Sequence, residues 1–260
     1  SATAKGHELR VEKLDAQYND WQLNTDLFAE LNADNSVQGH VALTHPNHQL
    51  TLDLTGSLAD LNMTLLTQGQ YPLKVHAQVN LQKDNFPFSL TGRVDTGSLD
   101  AGAEQLNISK LDLHGQGHAN DYKVKVDLIS QLGAYPQVSV SSQLQGSLTK
   151  ANLDQLKLNA NESQAIIHAS VDWSKGVNTE FNGKLEHLKA QYLTDAMSSD
   201  LSGGFKGSFG LTGTDWQLAV ENTTINGTVN DVPVSLESDF KLDSRLHASF
   251  EKLQLKSGRN

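Results

Sequence analysis

Cysteine is absent from this chain of 260 residues, which excludes a disulfide-stabilised scaffold and a metal site built on thiolates. The sequence also lacks any run of about 18 apolar residues, so it predicts no membrane-spanning helix. Its first residues, from Ser1 to Lys5, include neither an initiator methionine nor the apolar core of a signal peptide. We therefore expect a mature chain or an excised segment.

Basic residues are scarce: 20 Lys and Arg stand against 30 Asp and Glu, so the formal net charge is −10. A nucleic-acid-binding surface needs a basic face, and this balance argues against one. Charged residues make up 19% of the chain and aromatic residues 6%. The charged fraction is below the roughly 25% of ordinary globular proteins. Uncharged polar residues occupy many of the polar positions instead, and this composition favours half-buried strands over a disordered chain.

Apolar and polar residues alternate along the whole chain, as in Leu50 to Leu54, Val124 to Leu128 and Val232 to Leu242. About 18 such segments follow one another at intervals of about 8–15 residues, which predicts an all-β, mostly antiparallel sheet that is long, curved and twisted. Helical periodicity is confined to His187 to Met197. We expect one short helix there, near residues 187–198.

Glycine recurs two residues after an apolar strand residue, for example at Gly92, Gly183 and Gly227. The offset of two places each glycine on the apolar face of its strand. We interpret these glycines as points of sheet curvature in preference to points of contact with a ligand.

Internal similarity predicts a repeat. Leu54 to Leu58 resembles Leu144 to Leu148, Val75 to Asn80 resembles Ile167 to Asp172, and the tetrapeptide Asp-Trp-Gln-Leu occurs twice. We predict one elongated β-array over residues 1–260 with a degenerate repeat of about 90–97 residues, in which each unit contacts its neighbours.

Catalytic motifs such as Gly-x-Ser-x-Gly, His-Glu-x-x-His and the P-loop do not occur in the sequence, so no catalytic site is predicted. The segment from His45 to His48 is typical of a turn between two strands. His114 and His118 would lie about 13 Å apart along a strand, too far for one ion. We predict neither a metal nor a cofactor, and a protein that is not an enzyme.

The apolar face is the remaining feature. About 18 strands spaced by roughly 4.8 Å form a ribbon about 85 Å long, and its apolar face must be covered. Two arrangements remain open: the ribbon folds on itself around a filled core, or it forms a groove that holds an apolar ligand. An acyl chain of about 16 carbons would contribute on the order of 12 kcal/mol before ordering costs. Candidate lining residues of such a lipid groove are Leu52, Leu54, Val79, Leu81, Phe88, Leu90, Val126, Val140, Ile167, Val171, Phe181, Phe209, Val234, Leu236 and Phe240.

Several loose Gly, Trp and Leu patterns carry a family resemblance. They are Val171–Val177, Ser202–Gly207, Asp215–Leu218, Ile225–Gly227, Val232–Leu236 and Leu253–Asn260. Together they resemble the repeat of the TamB family, the translocation and assembly module subunits, within the wider AsmA-like group. The resemblance covers most of the chain from about Leu50 onward.

This resemblance implies a β-taco, a long curved sheet with an apolar interior. It also implies a periplasmic protein of Gram-negative bacteria that is anchored in the inner membrane and reaches the outer-membrane barrel TamA. Members of the family are linked to phospholipid transport and to assembly of outer-membrane proteins such as autotransporters. Because neither the membrane anchor nor the barrel-docking portion of the family is recognisable, we expect an internal segment.

The leading hypothesis is therefore a periplasmic segment that shields phospholipid acyl chains and supports outer-membrane protein assembly. Its expected partners are phospholipid, TamA and nascent outer-membrane proteins, without nucleic acid. The alternative is a surface-exposed β-sandwich or solenoid adhesin with a filled core. A third hypothesis, which the sequence favours less, is an enzyme with a β-helix fold.

Overall fold

The computed structural model describes residues 2–5, 8–18, 20–30, 35–46, 48–69, 72–94, 96–101, 104–192 and 197–258. Within these ranges the chain is almost entirely β-strand, and all the described ladders are antiparallel. The prediction of an all-β antiparallel fold is confirmed. The strands fall into two compact units, Ser1–Gly133 and Ala134–Asn260. None of the described residues belongs to a helix with the length and hydropathy needed to cross a membrane.

The first unit contains eleven of the described strands: β1 (Ala2–Lys5), β2 (Glu8–Tyr18), β3 (Trp21–Glu30), β4 (Ser36–His45), β5 (His48–Ser57), β6 (Asp60–Gly69), β7 (Lys74–Val79), β8 (Phe88–Val94), β9 (Gly97–Ala101), β10 (Glu104–His118) and β11 (Asp121–Leu132). Strands β1 to β8 pair in sequence order. Strands β8 and β9 then pair with successive stretches of β10, and β10 pairs with β11.

The second unit contains eight of the described strands: β12 (Val138–Gly146), β13 (Lys150–Ala160), β14 (Ser163–Asp172), β15 (Val177–Leu188), β16 (Ser199–Thr212), β17 (Asp215–Val229), β18 (Val232–Asp243) and β19 (Ala248–Ser257). Each of these strands pairs with the next. Each described ladder except β14–β15 contains a register shift, which lets the strands bend.

The registers sort the side chains of each unit into two faces, because paired residues point to the same side of a sheet. One row of the first unit crosses from β3 to β11 through Thr25, Val41, Leu52, Leu65, Val75, Gly92, Leu113 and Val126. A row of the second unit crosses from β12 to β19 through Leu144, Leu153, Ala169, Phe181, Gly207, Val220, Phe240 and Phe250. We call the face that carries these rows the apolar face of its unit, and the opposite face the polar face.

Side chains of the apolar face are mostly half-buried. Strand β7 shows the pattern, since Val75, Ala77 and Val79 are partly covered while Lys74 and His76 are exposed. In the part of the chain that the structure describes, no large side chain is fully buried. The buried apolar side chains there are those of Leu61, Val94 and Ala219. Among the described residues, the apolar face of each unit therefore lacks the fully buried large side chains of a dense core.

Leu81 does not lie in a strand, contrary to the prediction from the alternation of Val75 to Leu81. Strand β7 ends at Val79, and the side-chain oxygen of Asn80 accepts hydrogen bonds from the backbone N–H groups of Gln82 and Lys83, both at 3.0 Å. This turn ends the strand because an Asn side chain competes with the sheet for backbone donors. Leu81 is 40% exposed in the loop that follows.

The short helix expected near residues 187–198 is represented, among the described residues, by a single 3₁₀ turn at Ala190–Tyr192. Residues 193–196 lie outside the described ranges. Ser199 anchors the turn, since its hydroxyl donates to the Leu188 carbonyl at 3.0 Å and accepts from the Ala190 N–H at 2.8 Å. Strand β15 extends to Leu188, so part of the helical pattern belongs to a strand.

The expected single array over residues 1–260, with its repeat of about 90–97 residues, stays a prediction.

Candidate functional site

The candidate site of each unit is its apolar face. All the candidate lining residues except Leu81 lie in strands on these faces. Those of the first unit are Leu52, Leu54, Val79, Phe88, Leu90 and Val126. Those of the second unit are Val140, Ile167, Val171, Phe181, Phe209, Val234, Leu236 and Phe240. The register thus gathers each group on one side of its own sheet, while a role in binding lipid stays a prediction.

Aromatic rings on the second unit lie against glycines of neighbouring strands. Phe181 pairs with Gly207, and Phe205 pairs with Gly183. A Cβ atom at Gly207 would lie 2.6 Å from Phe181 Cζ, and one at Gly183 would overlap the Phe205 ring. The two ring centroids are 6.3 Å apart. These glycines make room for the chain's own phenyl rings. Their sequence pattern was interpreted as sheet curvature and did not predict this close approach.

A second aromatic pair lies on the same face, where the rings of Phe209 and Trp216 stack with centroids 6.5 Å apart. The apolar face of the second unit therefore offers flat aromatic groups beside aliphatic ones. Such a surface can contact hydrocarbon by dispersion and by exclusion of water.

Other residues of the apolar rows were missed as candidates. They are Leu65, Leu113, Leu153, Phe205 and Val220. Leu65, Leu113 and Phe205 follow the same alternation as the candidates and could have been found by it. Leu153 and Val220 adjoin register shifts in their own strands, where the period of two breaks down.

The polar face of the second unit carries ion pairs. Lys150 Nζ lies 2.9 Å from Asp172 Oδ2, and Lys241 Nζ lies 2.6 Å from Glu251 Oε1. The hydroxyl and backbone N–H of Ser174, together with Lys150, hold the pKa of Asp172 well below its usual range. Exposed pairs of this kind contribute little to stability. Their presence indicates that this face meets water.

A cleft of about 540 Å³ lies between strands β13 and β17 of the second unit. Its lining includes Lys150, Asp172, Glu180 and Gln217 of the polar face, together with the candidate groove residues Val171 and Phe209. Because charged side chains line it, this cleft does not match the wholly apolar groove that the sequence predicts.

The histidines occupy the positions expected for turns and strands. Strand β4 ends at His45 and β5 begins at His48, as the turn prediction required. Their rings stack with centroids 5.8 Å apart. Across the described ranges, no three His, Asp or Glu side chains converge in a way that could hold a metal ion.

Comparison with known proteins identifies the family. The profile of the family "TamB, N-terminal domain" matches residues 1–260. The chain is also 25% identical over 225 residues to the "Translocation and assembly module subunit TamB" of Haemophilus influenzae (strain ATCC 51907 / DSM 11121 / KW20 / Rd). That alignment covers 83% of this chain and 17% of the relative, so the chain spans only a small part of the relative's length. No solved structure matches it. Because the family profile matches the whole chain, the chain belongs to the TamB N-terminal domain family.

Proposed function

We propose that this chain holds phospholipid acyl chains against its apolar faces as part of a translocation and assembly module. The observation that carries the proposal is that the apolar rows run from strand to strand without interruption by charge, while their side chains stay half-exposed. In the described part of the chain, no large apolar side chain is fully buried. A face of this kind needs an apolar partner.

Hydrocarbon is the partner that fits best. Exposed apolar patches beyond a few hundred Å² are rare on proteins that face only water. Each methylene group moved from water to an apolar surface contributes about 0.8 kcal/mol. An acyl chain laid along the rows would contact the aliphatic and aromatic side chains listed above without needing any polar group. The polar face would stay in water, with its ion pairs hydrated.

The family membership supports the wider setting. We infer a periplasmic position, in a longer protein anchored in the inner membrane and acting with the outer-membrane barrel TamA. The relative from Haemophilus influenzae is named as a subunit of a translocation and assembly module. A curved, β-taco-like groove is part of this proposal, and so is phospholipid as the cargo.

A second role, in assembly of outer-membrane proteins, is supported by the family membership, because the relative from Haemophilus influenzae is named as a subunit of a translocation and assembly module. A β-sheet can add an extended segment of another protein by backbone hydrogen bonds. Nascent outer-membrane strands have the alternating pattern that such pairing accepts.

The filled-core adhesin fits less well, because a filled core requires fully buried large side chains.

Mass spectrometry of the gently purified protein tests the main proposal. We expect phospholipid to co-purify in stoichiometric amounts and to be displaced by a fluorescent fatty acid. A protein that carries no lipid and does not bind the fatty acid would refute the proposal and favour a filled core.

A further inference from the structure

Four side chains that can carry positive charge lie together on the polar face of the first unit. They are Lys74 and His76 of β7, Arg93 of β8 and His114 of β10, and we call them the basic cluster. With Thr91, Gly92 and Asp112 they line a cleft of about 340 Å³. The cluster is notable because the chain as a whole has a net charge of −10.

Lys74 and Arg93 pair directly in the β7–β8 ladder. Like charges in directly opposite positions destabilise a sheet unless an anion lies between or beside them. On its other side Arg93 pairs with Asp112, but Asp112 Oδ2 also lies 2.8 Å from Lys110 Nζ. The Asp112 carboxylate therefore lies beside Arg93 and forms an ion pair with Lys110. Among the residues that the structure describes, no carboxylate forms an ion pair with Lys74.

The next row of the polar face adds imidazoles and a hydroxyl. His76 pairs with Thr91, and Thr91 pairs with His114. The Nδ1 atom of His76 lies 3.3 Å from the Thr64 hydroxyl oxygen, which orients the ring while its Nε2 atom is left for another partner. Lys74, His76, Thr91, Arg93 and His114 are all exposed at this surface, so a ligand can reach them.

We propose that the basic cluster binds the phosphate group of a small phosphate ester or of a lipid headgroup. A guanidinium can donate two parallel hydrogen bonds to phosphate oxygens, and an ammonium adds a third charge-assisted bond. A bound phosphate would also remove the repulsion between Lys74 and Arg93. Apart from Gly92, every residue that lines the cleft has a polar or charged side chain, which suits a compact hydrophilic anion. Because the cluster lies on the face opposite the apolar rows, this inference does not depend on acyl-chain binding.

Calorimetric titration with inorganic phosphate at fixed ionic strength tests the inference. We expect saturable binding that weakens about tenfold or more in the double variant Lys74→Gln/Arg93→Gln, because two charge-assisted contacts are lost. The matched control is Lys184→Gln, an exposed lysine of the second unit that pairs with Glu186 at 2.5 Å. Circular dichroism checks that each variant is folded.

Vesicle flotation then distinguishes the two sources of the phosphate. Binding to phosphatidylglycerol vesicles that is lost in the double variant assigns a lipid headgroup, whereas binding of inorganic phosphate alone assigns a soluble ester. The inference is overturned if the wild-type protein binds neither probe, or if the double variant and the Lys184→Gln control bind equally well. A Leu54→Asp variant that loses acyl chains but keeps phosphate binding would separate this site from the apolar face.

Discussion

Gly183 lies directly opposite Phe205 in the β15–β16 ladder, and its missing side chain leaves the space that the phenyl ring occupies. The neighbouring pair is reversed, with Phe181 on β15 and Gly207 on β16. Strands β15 and β16 thus each supply one phenyl ring and one glycine that makes room for the ring of the other strand. The arrangement packs two large side chains flat against the surface of their own sheet.

Replacing Gly183 by alanine should lower the free energy of unfolding by about 1–3 kcal/mol, because the Phe205 ring has to move away. Urea denaturation measures the change. The control is Gly210→Ala on the same ladder, where a Cβ atom would meet nothing closer than Asn178 Oδ1 at 3.7 Å. That variant should be neutral or more stable by up to about 1 kcal/mol. Equal losses in both variants would show that the ring does not occupy this space.

Leu61 and Leu255 both occupy apolar positions of alternating strands, but their contributions to the free energy of unfolding should differ widely. Leu61 is 7% exposed and Leu255 is 72% exposed. Leu61→Ala should cost about 2–5 kcal/mol, as expected for a buried leucine. Leu255→Ala should change the stability by about 0.5 kcal/mol or less. Urea unfolding of both variants provides the comparison, and a large loss at Leu255 would mean that β19 is covered in solution.

Lipid content should respond to charge on one face of the sheet and not on the other. Leu54 lies on the apolar face and is half-buried, whereas its neighbour Thr55 is exposed on the polar face. Leu54→Asp should reduce co-purified phospholipid about tenfold, because an unpaired carboxylate against hydrocarbon is strongly unfavourable. Thr55→Asp should leave the lipid content unchanged. Lipid is quantified by mass spectrometry, and an equal effect of both variants would contradict binding at the apolar face.

Acid should remove the contribution of Asp172 to stability. Its pKa is held below the usual value by Ser174 and then by Lys150. A carboxyl group with a lowered pKa in the folded state stabilises the fold above its unfolded pKa of about 3.9, and this contribution is lost as the pH falls through the folded value. Asp172→Asn should therefore be less stable than the wild type at pH 7, and the difference should shrink below about pH 4.

Carboxyl-carbon NMR titration provides the direct check. Ser174→Ala and Lys150→Gln should each raise the pKa of Asp172, because one removes the hydroxyl bond and the other the ammonium charge, while the backbone N–H bond from residue 174 remains. An unchanged pKa in Ser174→Ala would show that the hydroxyl does not lower it.

The alternation of residues was sufficient to predict the strands and their apolar faces, because period two is a local property of the chain. Val171 and Phe181, chosen from the pattern alone, lie in strands on the same face. The prediction that Leu81 lies in a strand was wrong, because a hydrogen-bonded turn at Asn80 ends strand β7 before it. That competition depends on side-chain geometry, which apolar spacing does not record.

The contacts between strands were not predictable in the same way. The opposition of Lys74 and Arg93 depends on the register of β7 against β8, and a slip of one residue would have moved one of them to the other face. The same is true of Gly183 and Phe205. The glycines were interpreted as points of sheet curvature, and only the register showed that Gly183 makes room for a phenyl ring.

The order of the ladders has an evolutionary consequence. In the second unit each strand hydrogen-bonds to the strands beside it in sequence. Duplicating or deleting a hairpin from such a sheet would reconnect equivalent neighbours without rebuilding distant contacts. Selection could therefore change the number of strands gradually, one hairpin at a time.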